Sequence, residues 1–240
     1  MGGLLQTFTL APYLLFIDTE ASGLPKKWNL PYSEENNWPH AVQISWIIYT
    51  KEGIEIKEEN HYIKGDFKIS HSARRVHGIS DQFLETNGES RESVLGILAK
   101  DIEQYNPLII GHFLELDLHV LGADFYRSKL NNPIKDARHF CTMIATKHLA
   151  RHPGTTNLRL GELYATLFEK KPEHQHNAIA DARATADCFF ELCKRGEITE
   201  EKILKQQERC KEKTFEKPSI LLPVFLIVVL IILIITLFIL

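Results

Sequence analysis

The chain has 240 residues, 44% hydrophobic and 25% charged, with a formal net charge of -3. That is enough to bury a full core in one globular domain of roughly 200 residues, and it excludes a strongly basic balance that would by itself point to nucleic acid, though clustered acidic ligands would offset basic residues in such a sum. The cysteines Cys141, Cys188, Cys193 and Cys210 contain no CxxC pair and the chain starts with no secretory signal, which excludes a cysteine zinc site and reads as reduced thiols.

After a short lead to about residue 13, YLLFID is a compact apolar run ending in acids and predicts a buried strand. The stretch 24–40 is rich in Pro, Asn and charge and reads as a loop or insertion. AVQISWIIY predicts a second strand and the run from Ile54 to Ile63 its partner, with Lys51-Glu52-Gly53 as the hairpin turn. Ser80-Asp81 caps a short helix. Ser90 and Ser93 open another running to about Gln104, where Asn106-Pro107 stops it. LIIGH is a short buried strand, followed by a helix from about Glu115 to Lys129 and a turn at Asn131-Asn132-Pro133. Ala137–Cys141 supplies the last strand, and helices over 142–150, 158–169 and 178–195 follow. Three strands in a meander, then strand–helix–strand with helices after, make an α/β sandwich with a mixed sheet.

Composition changes after Gly196. Residues 199–217 are highly charged, with Ile203 and Leu204 the only large aliphatics, and predict a solvated helix. From Ile220 to Leu240 no residue is charged, and Thr236 is the only polar residue in PVFLIVVLIILIITLFIL. Twenty helical residues reach about 30 Å, the thickness of a hydrocarbon core. Lys211, Lys213 and Lys217 precede this run, which predicts a single-pass tail anchor with the large domain facing the cytoplasm. The expected division is therefore 1–196, a charged helical linker over 197–218, and a membrane anchor over 219–240.

Three patches carry the chemistry. Asp18 and Glu20 lie two apart at a strand end, on one face of the strand. Asp117 lies in the first turn of a helix after a second buried strand. His176 and Asp181 lie five apart where a third helix starts, with Asn177 as its cap. Each taken singly reads as a surface acid, a residue favoured by a helix dipole, or a mobile histidine. His112 reads as a satisfied structural histidine. Together, four carboxylates and one imidazole at element ends can converge on one cleft. Hard oxygen ligands suit Mg²⁺ or Mn²⁺, and two such ions about 3.5–4 Å apart can hold the attacking and leaving oxygens of an in-line displacement. An imidazole titrating near neutrality can take a proton from the attacking water. No GxSxG elbow and no GxxxxGK[ST] loop is present.

DTEASGLP, GHFLELD and HNAIAD resemble the three motifs of the DEDDh exonucleases, the epsilon-subunit-like 3′–5′ exonucleases of the ribonuclease-H-like fold, and RRVHGIS and CTMIATKHL resemble two further segments of that family. The resemblance covers about residues 12–195. It implies a ribonuclease-H-like three-layer fold with a mixed five-stranded sheet flanked by helices. It also implies two Mg²⁺ or Mn²⁺ ions on Asp18, Glu20, Asp117 and Asp181, with His176 as general base. Ala21, Ser22 and Leu24 would contact the terminal nucleotide. The implied partner is a nucleic acid 3′ end, DNA favoured over RNA. An oligonucleotide-clearing exoribonuclease and a non-catalytic, membrane-held nucleic-acid-binding module are the alternatives. Two departures stand out. Phe113 occupies the position of a usual Asn, and the loop 25–39 is long, with Trp28, Tyr32 and Trp38 available either to stack on bases or to pack the loop onto the domain.

Overall fold

A computed structural model describes residues 11–150, 156–173 and 175–215. The expected membrane span lies outside the described residues. The strands are β1 (Tyr13–Ala21), β2 (Ala41–Thr50), β3 (Glu55–Lys64), β4 (Glu89–Ser90), β5 (Leu108–Gly111) and β6 (Arg138–Cys141). The helices are α1 (His71–His77), α2 (Asp81–Asn87), α3 (Arg91–Tyr105), α4 (Leu114–Arg127), α5 (Thr142–Ala145), α6 (Leu160–Phe168), α7 (Ala178–Lys194) and α8 (Glu200–Phe215), with 3₁₀ turns at Pro133–Asp136 and Lys147–Leu149.

One mixed sheet runs in the order β4-β3-β2-β1-β5-β6. β1 is its centre, antiparallel to β2 and parallel to β5. The alternation of side chains along β1 and β2 sends residues to two cores. Leu14, Phe16, Ile47 and Tyr49 meet Leu163, Leu167, Ala182 and Phe189 of α6 and α7 on one face. Leu15, Ile17, Ile44, Trp46 and Ile48 meet Leu95, Leu98, Val120, Leu121 and Phe125 of α3 and α4 on the other. Both faces of the central strands are covered, which is why YLLFI reads as a continuous apolar run rather than an alternating one.

Most predicted elements stand close to their expected bounds, with the expected caps at Ser80 and Ser90 and the left-handed stop at Asn106. The sheet has six strands, not five: the two-residue β4 pairs with the edge of β3 and is too short to leave a period-two pattern. The expected helix over 142–150 breaks after Ala145, where the Thr146 hydroxyl donates to the Thr142 carbonyl at 2.8 Å and competes with the helical ladder. α1 also forms, opened by Ser70 and closed by Gly78 at a φ of 74° that glycine adopts without strain. The chain divides into two compact units, 1–203 and 204–240. Ile198 and Ile203 are buried in the α6/α7 core, so the first unit runs past the expected end at residue 196.

Asp124 of α4 is fully buried and ties this side of the fold together. It accepts from Arg127 Nη1 at 2.7 Å and from the Ala41 N–H at 3.0 Å, and it pairs with Arg91 Nε at 3.3 Å. Removing one member of a buried ion cluster strands the others. Asp124→Ala is expected to cost about 3–5 kcal/mol in urea unfolding, and a loss under about 1 kcal/mol would rule out this role.

Candidate active site

The motif residues converge at the C-terminal end of β1. Asp18 and Glu20 share the strand face that Leu14 and Phe16 present to α7. Asp117 arrives from the opposite layer, in the first turn of α4. It is 4% exposed, and its Oδ1 accepts from the Thr19 N–H at 2.9 Å and the Thr19 hydroxyl at 2.8 Å. Thr19 therefore clamps the third acid to the strand carrying the first two. Asp181 lies in the first turn of α7, and its Oδ2 accepts from the His176 N–H at 3.0 Å. His176 sits in a left-handed turn at φ 65°. Glu20, His176 and Asp181 each offer a ligand atom within 4.8 Å of the other two. Asp18 and Asp117 stand outside that tight triplet but close enough to repel its members electrostatically.

The start of α7 is fixed by a residue with no evident part in the sequence pattern. Asn177 occupies the cap position without a side-chain cap bond. Gln43, fully buried on β2, accepts instead from the Ala178 N–H at 3.2 Å and donates to Asn60 at 2.8 Å. A glutamine inside the apolar run AVQISWIIY was the available signal, since a buried amide needs partners. His112 is satisfied on both ring nitrogens, by Thr142 and the Leu158 carbonyl, each at 2.9 Å, and is structural.

Crowded carboxyls hold their protons. Burial, then Asp117, Asp181 and Glu20, push Asp18 well above the usual carboxylate range. Burial, then Asp181 and Asp117, raise Glu20 to about 8. Burial raises Asp117 to about 7 although both Thr19 donors pull it down, and burial raises Asp181. Such a cluster ionises together only beside a compensating positive charge. The donors are hard oxygens with one imidazole, a set that fits a divalent cation.

The three residues after the acids differ in availability. Leu24 is 72% exposed and Ala21 half-buried at a register shift in the β1–β2 ladder. Ser22 is buried and already engaged. Its hydroxyl accepts from the His40 N–H, its N–H donates to the His40 carbonyl, and its carbonyl accepts from the Ser70 N–H. Phe113 caps α4 at φ 62°, a left-handed conformation in which Asn is enriched and bulky side chains are rare. That geometry accounts for an Asn as the usual residue there.

A family model described as exonuclease (RNase_T) matches residues 15–189. The chain belongs to the exonuclease family. The enzyme class expected from the motifs thereby holds, and the match spans every one of the clustered acids. DNA polymerase III subunit epsilon of Buchnera aphidicola subsp. Schizaphis graminum is 28% identical over 175 residues, covering 70% of this chain and 69% of that protein. Among solved structures, E. coli exonuclease I in complex with a dT13 oligonucleotide is similar at a TM-score of 0.61 and 21% identity, over 76% of this chain and 41% of that one. The zinc-bound form of an E. coli exonuclease I–single-stranded DNA complex is similar at 0.64 and 19%, over 81% and 42%. These likenesses show the shared α/β exonuclease fold with its mixed sheet. The chain spans less than half the length of the exonuclease I chains.

The raised acids set a pH dependence. The folded state keeps protons on Glu20 to about pH 8 and on Asp117 to about pH 7, whereas the unfolded chain releases them near pH 4. The native state binds more protons across that window, so stability falls as pH rises through it. In chelator, the thermal midpoint is expected to drop between pH 5 and pH 8, and millimolar Mg²⁺ to restore it at pH 8. Asp181→Asn should flatten the drop. A midpoint insensitive to both pH and Mg²⁺ would refute this electrostatic picture.

Proposed function

We propose that the chain is a membrane-tethered, metal-dependent 3′–5′ exonuclease that releases nucleoside monophosphates from the 3′ end of single-stranded DNA. The observation that carries the reading is the triplet of Glu20, His176 and Asp181 within 4.8 Å, at the strand end that bears Asp18 and to which Thr19 holds Asp117. In this reading Asp18, Glu20, Asp117 and Asp181 hold two Mg²⁺ or Mn²⁺ ions, which when bound neutralise the phosphodiester and acidify water. His176 accepts the proton of the attacking water. Its exposure at the rim lets the ring reach solvent, while its N–H bond to Asp181 holds its backbone in place. Water adds to the terminal phosphorus, the bond to the 3′ oxygen breaks, and a nucleoside 5′-monophosphate leaves. Thr19 and Gln43 touch no substrate; they keep Asp117 and α7 in register with β1. The oligonucleotide complexes of the exonuclease I neighbours support a single-stranded DNA substrate.

The tether rests on the charge-free run from Ile220 to Leu240 behind Lys211, Lys213 and Lys217. Among the described residues no helix is long and apolar enough to cross a membrane, and the run itself lies beyond them. We read it as a single-pass anchor with the catalytic domain on the cytoplasmic side.

The full chain in detergent is expected to shorten 5′-labelled oligothymidylate one nucleotide at a time with Mg²⁺ and not with chelator. Asp18→Ala and Asp181→Ala should each lower the rate at least about 1,000-fold, the scale of losing an essential catalytic group. Retention of activity in both variants sinks the assignment. A faster rate on the ribose homologue would replace DNA with RNA as the substrate. For the anchor, the full chain should stay in the membrane pellet through alkaline extraction, and a chain stopped after Lys217 should be released. A full chain found in the supernatant would remove the anchor from the proposal.

A further inference from the structure

The long loop between β1 and β2 is a built structure. Trp38 is 2% exposed, stacked on the His119 ring of α4 at 4.5 Å, and its indole N–H donates to the Leu30 carbonyl. The Tyr32 hydroxyl lies 3.1 Å from His119 Nδ1, over Gly122, where a Cβ would come within 2.5 Å of that oxygen. Asn37 closes the loop on itself through the Lys27 N–H and carbonyl, and Arg127 holds the Trp38 and Pro39 carbonyls. Of the three aromatic residues that distinguish this loop, two therefore serve to pin it to α4.

The third is only partly covered. Trp28 meets Trp38 and His119 edge-on, is 42% exposed, and lies against Phe113, itself 36% exposed, with ring centroids 5.9 Å apart and planes at 49°. Phe113 is the residue before α4, the helix whose first turn supplies Asp117, so the pair sits at the end of α4 that carries an acid of the site. The chain places a large aromatic in a left-handed position that favours Asn and sets a part-exposed tryptophan next to it. Lys26 and Lys27 precede Trp28, exposed, and among the described residues neither ammonium is ion-paired. Part-exposed aromatic rings with unpaired cations alongside are the chemistry that takes a base and its phosphates from a single strand.

We propose that Trp28 and Phe113 form a stacking platform for a base of the single-stranded nucleic acid upstream of the scissile bond, with Lys26 and Lys27 on its phosphates. The platform rests on the exonuclease reading for its neighbour, the acid site, and adds to it a determinant of strand affinity. Stacking accepts any base, so it holds a strand without reading its sequence. It also favours single strands, because a paired base hides its faces against its neighbours.

The test uses the full chain in detergent, with Ca²⁺ replacing Mg²⁺ for binding and Mg²⁺ for cleavage. The ligands are oligothymidylates carrying one abasic nucleotide at each of the last few positions in turn. One abasic position is expected to weaken binding to the unmodified protein about fivefold or more. Trp28→Ala should bind the intact strand more weakly by a similar factor and lose its sensitivity to that position. Phe113→Leu should do the same in part, and Trp28→Phe should recover most of the affinity. Equal abasic profiles for the unmodified protein, Trp28→Ala and Phe113→Leu overturn the platform. Cleavage with Mg²⁺ together with those equal profiles discards the platform and keeps the exonuclease. The abasic signature without any cleavage discards the exonuclease reading and keeps a strand-binding platform.

Discussion

Four carboxyls crowded at one strand end are the constraint around which this molecule is organised. Burial raises the proton affinity of all four, neighbouring carboxyls add to the rise at Asp18, Glu20 and Asp117, and Glu20 and Asp117 hold their protons to about pH 8 and pH 7. A flexible chain would relieve that repulsion by moving the acids apart. Here every route of escape is blocked. Asp18 and Glu20 are carried by the central strand, whose neighbours β2 and β5 flank it on both sides. Asp117 is held by both donors of Thr19, and Asp181 by the His176 N–H. Like charge confined in this way is a standing demand for positive charge, which is what a divalent cation or a catalytic proton supplies.

The rest of the fold makes that confinement possible. Apolar residues of β1 feed cores on both faces of the sheet, so the strand end cannot shift without disturbing α3 and α4 on one side and α6 and α7 on the other. The acids come from both layers: Asp117 from the α4 side and Asp181 from the α7 side. Polar bonds deep in each layer then set the fine placement. Gln43 orients the start of α7, and Asp124 with Arg91 and Arg127 links α3 and α4 to the start of β2. Through Ser22, which bonds to His40 and Ser70, the same framework reaches the segment that follows the acids.

The loop between β1 and β2 shows a division of labour among similar residues. Trp38 and Tyr32 spend their rings on α4, while Trp28 is presented outward against Phe113. All three look alike in sequence, because an aromatic residue in a polar insertion suits burial and stacking equally. Only the packing against α4 separates them: Trp38 stacks flat on His119 and Tyr32 fills the gap over Gly122, while Trp28 meets Trp38 and His119 edge-on and stays 42% exposed.

Sequence by itself determined the order of the longer elements, the motif acids and the enzyme family. Apolar runs, serine caps and the Asn106-Pro107 stop are local signals, and the motif acids stand at element ends that a linear reading can follow. It left open the two-residue strand β4, the break at Thr146, the reach of the core to Ile203 and the brace from Gln43, because each depends on a partner distant in the chain. Ile203 illustrates the reason: on a charged helix it looks solvated, and only the cavity beside Ile198 and Leu192 makes it core. Phe113 illustrates the converse. Its departure from the usual Asn was visible in the sequence, but its left-handed backbone and its tryptophan neighbour exist only once α4 is packed against the loop. Local physics placed the acids at the ends of elements; long-range packing decided how close they stand and which side chains remain free beside them.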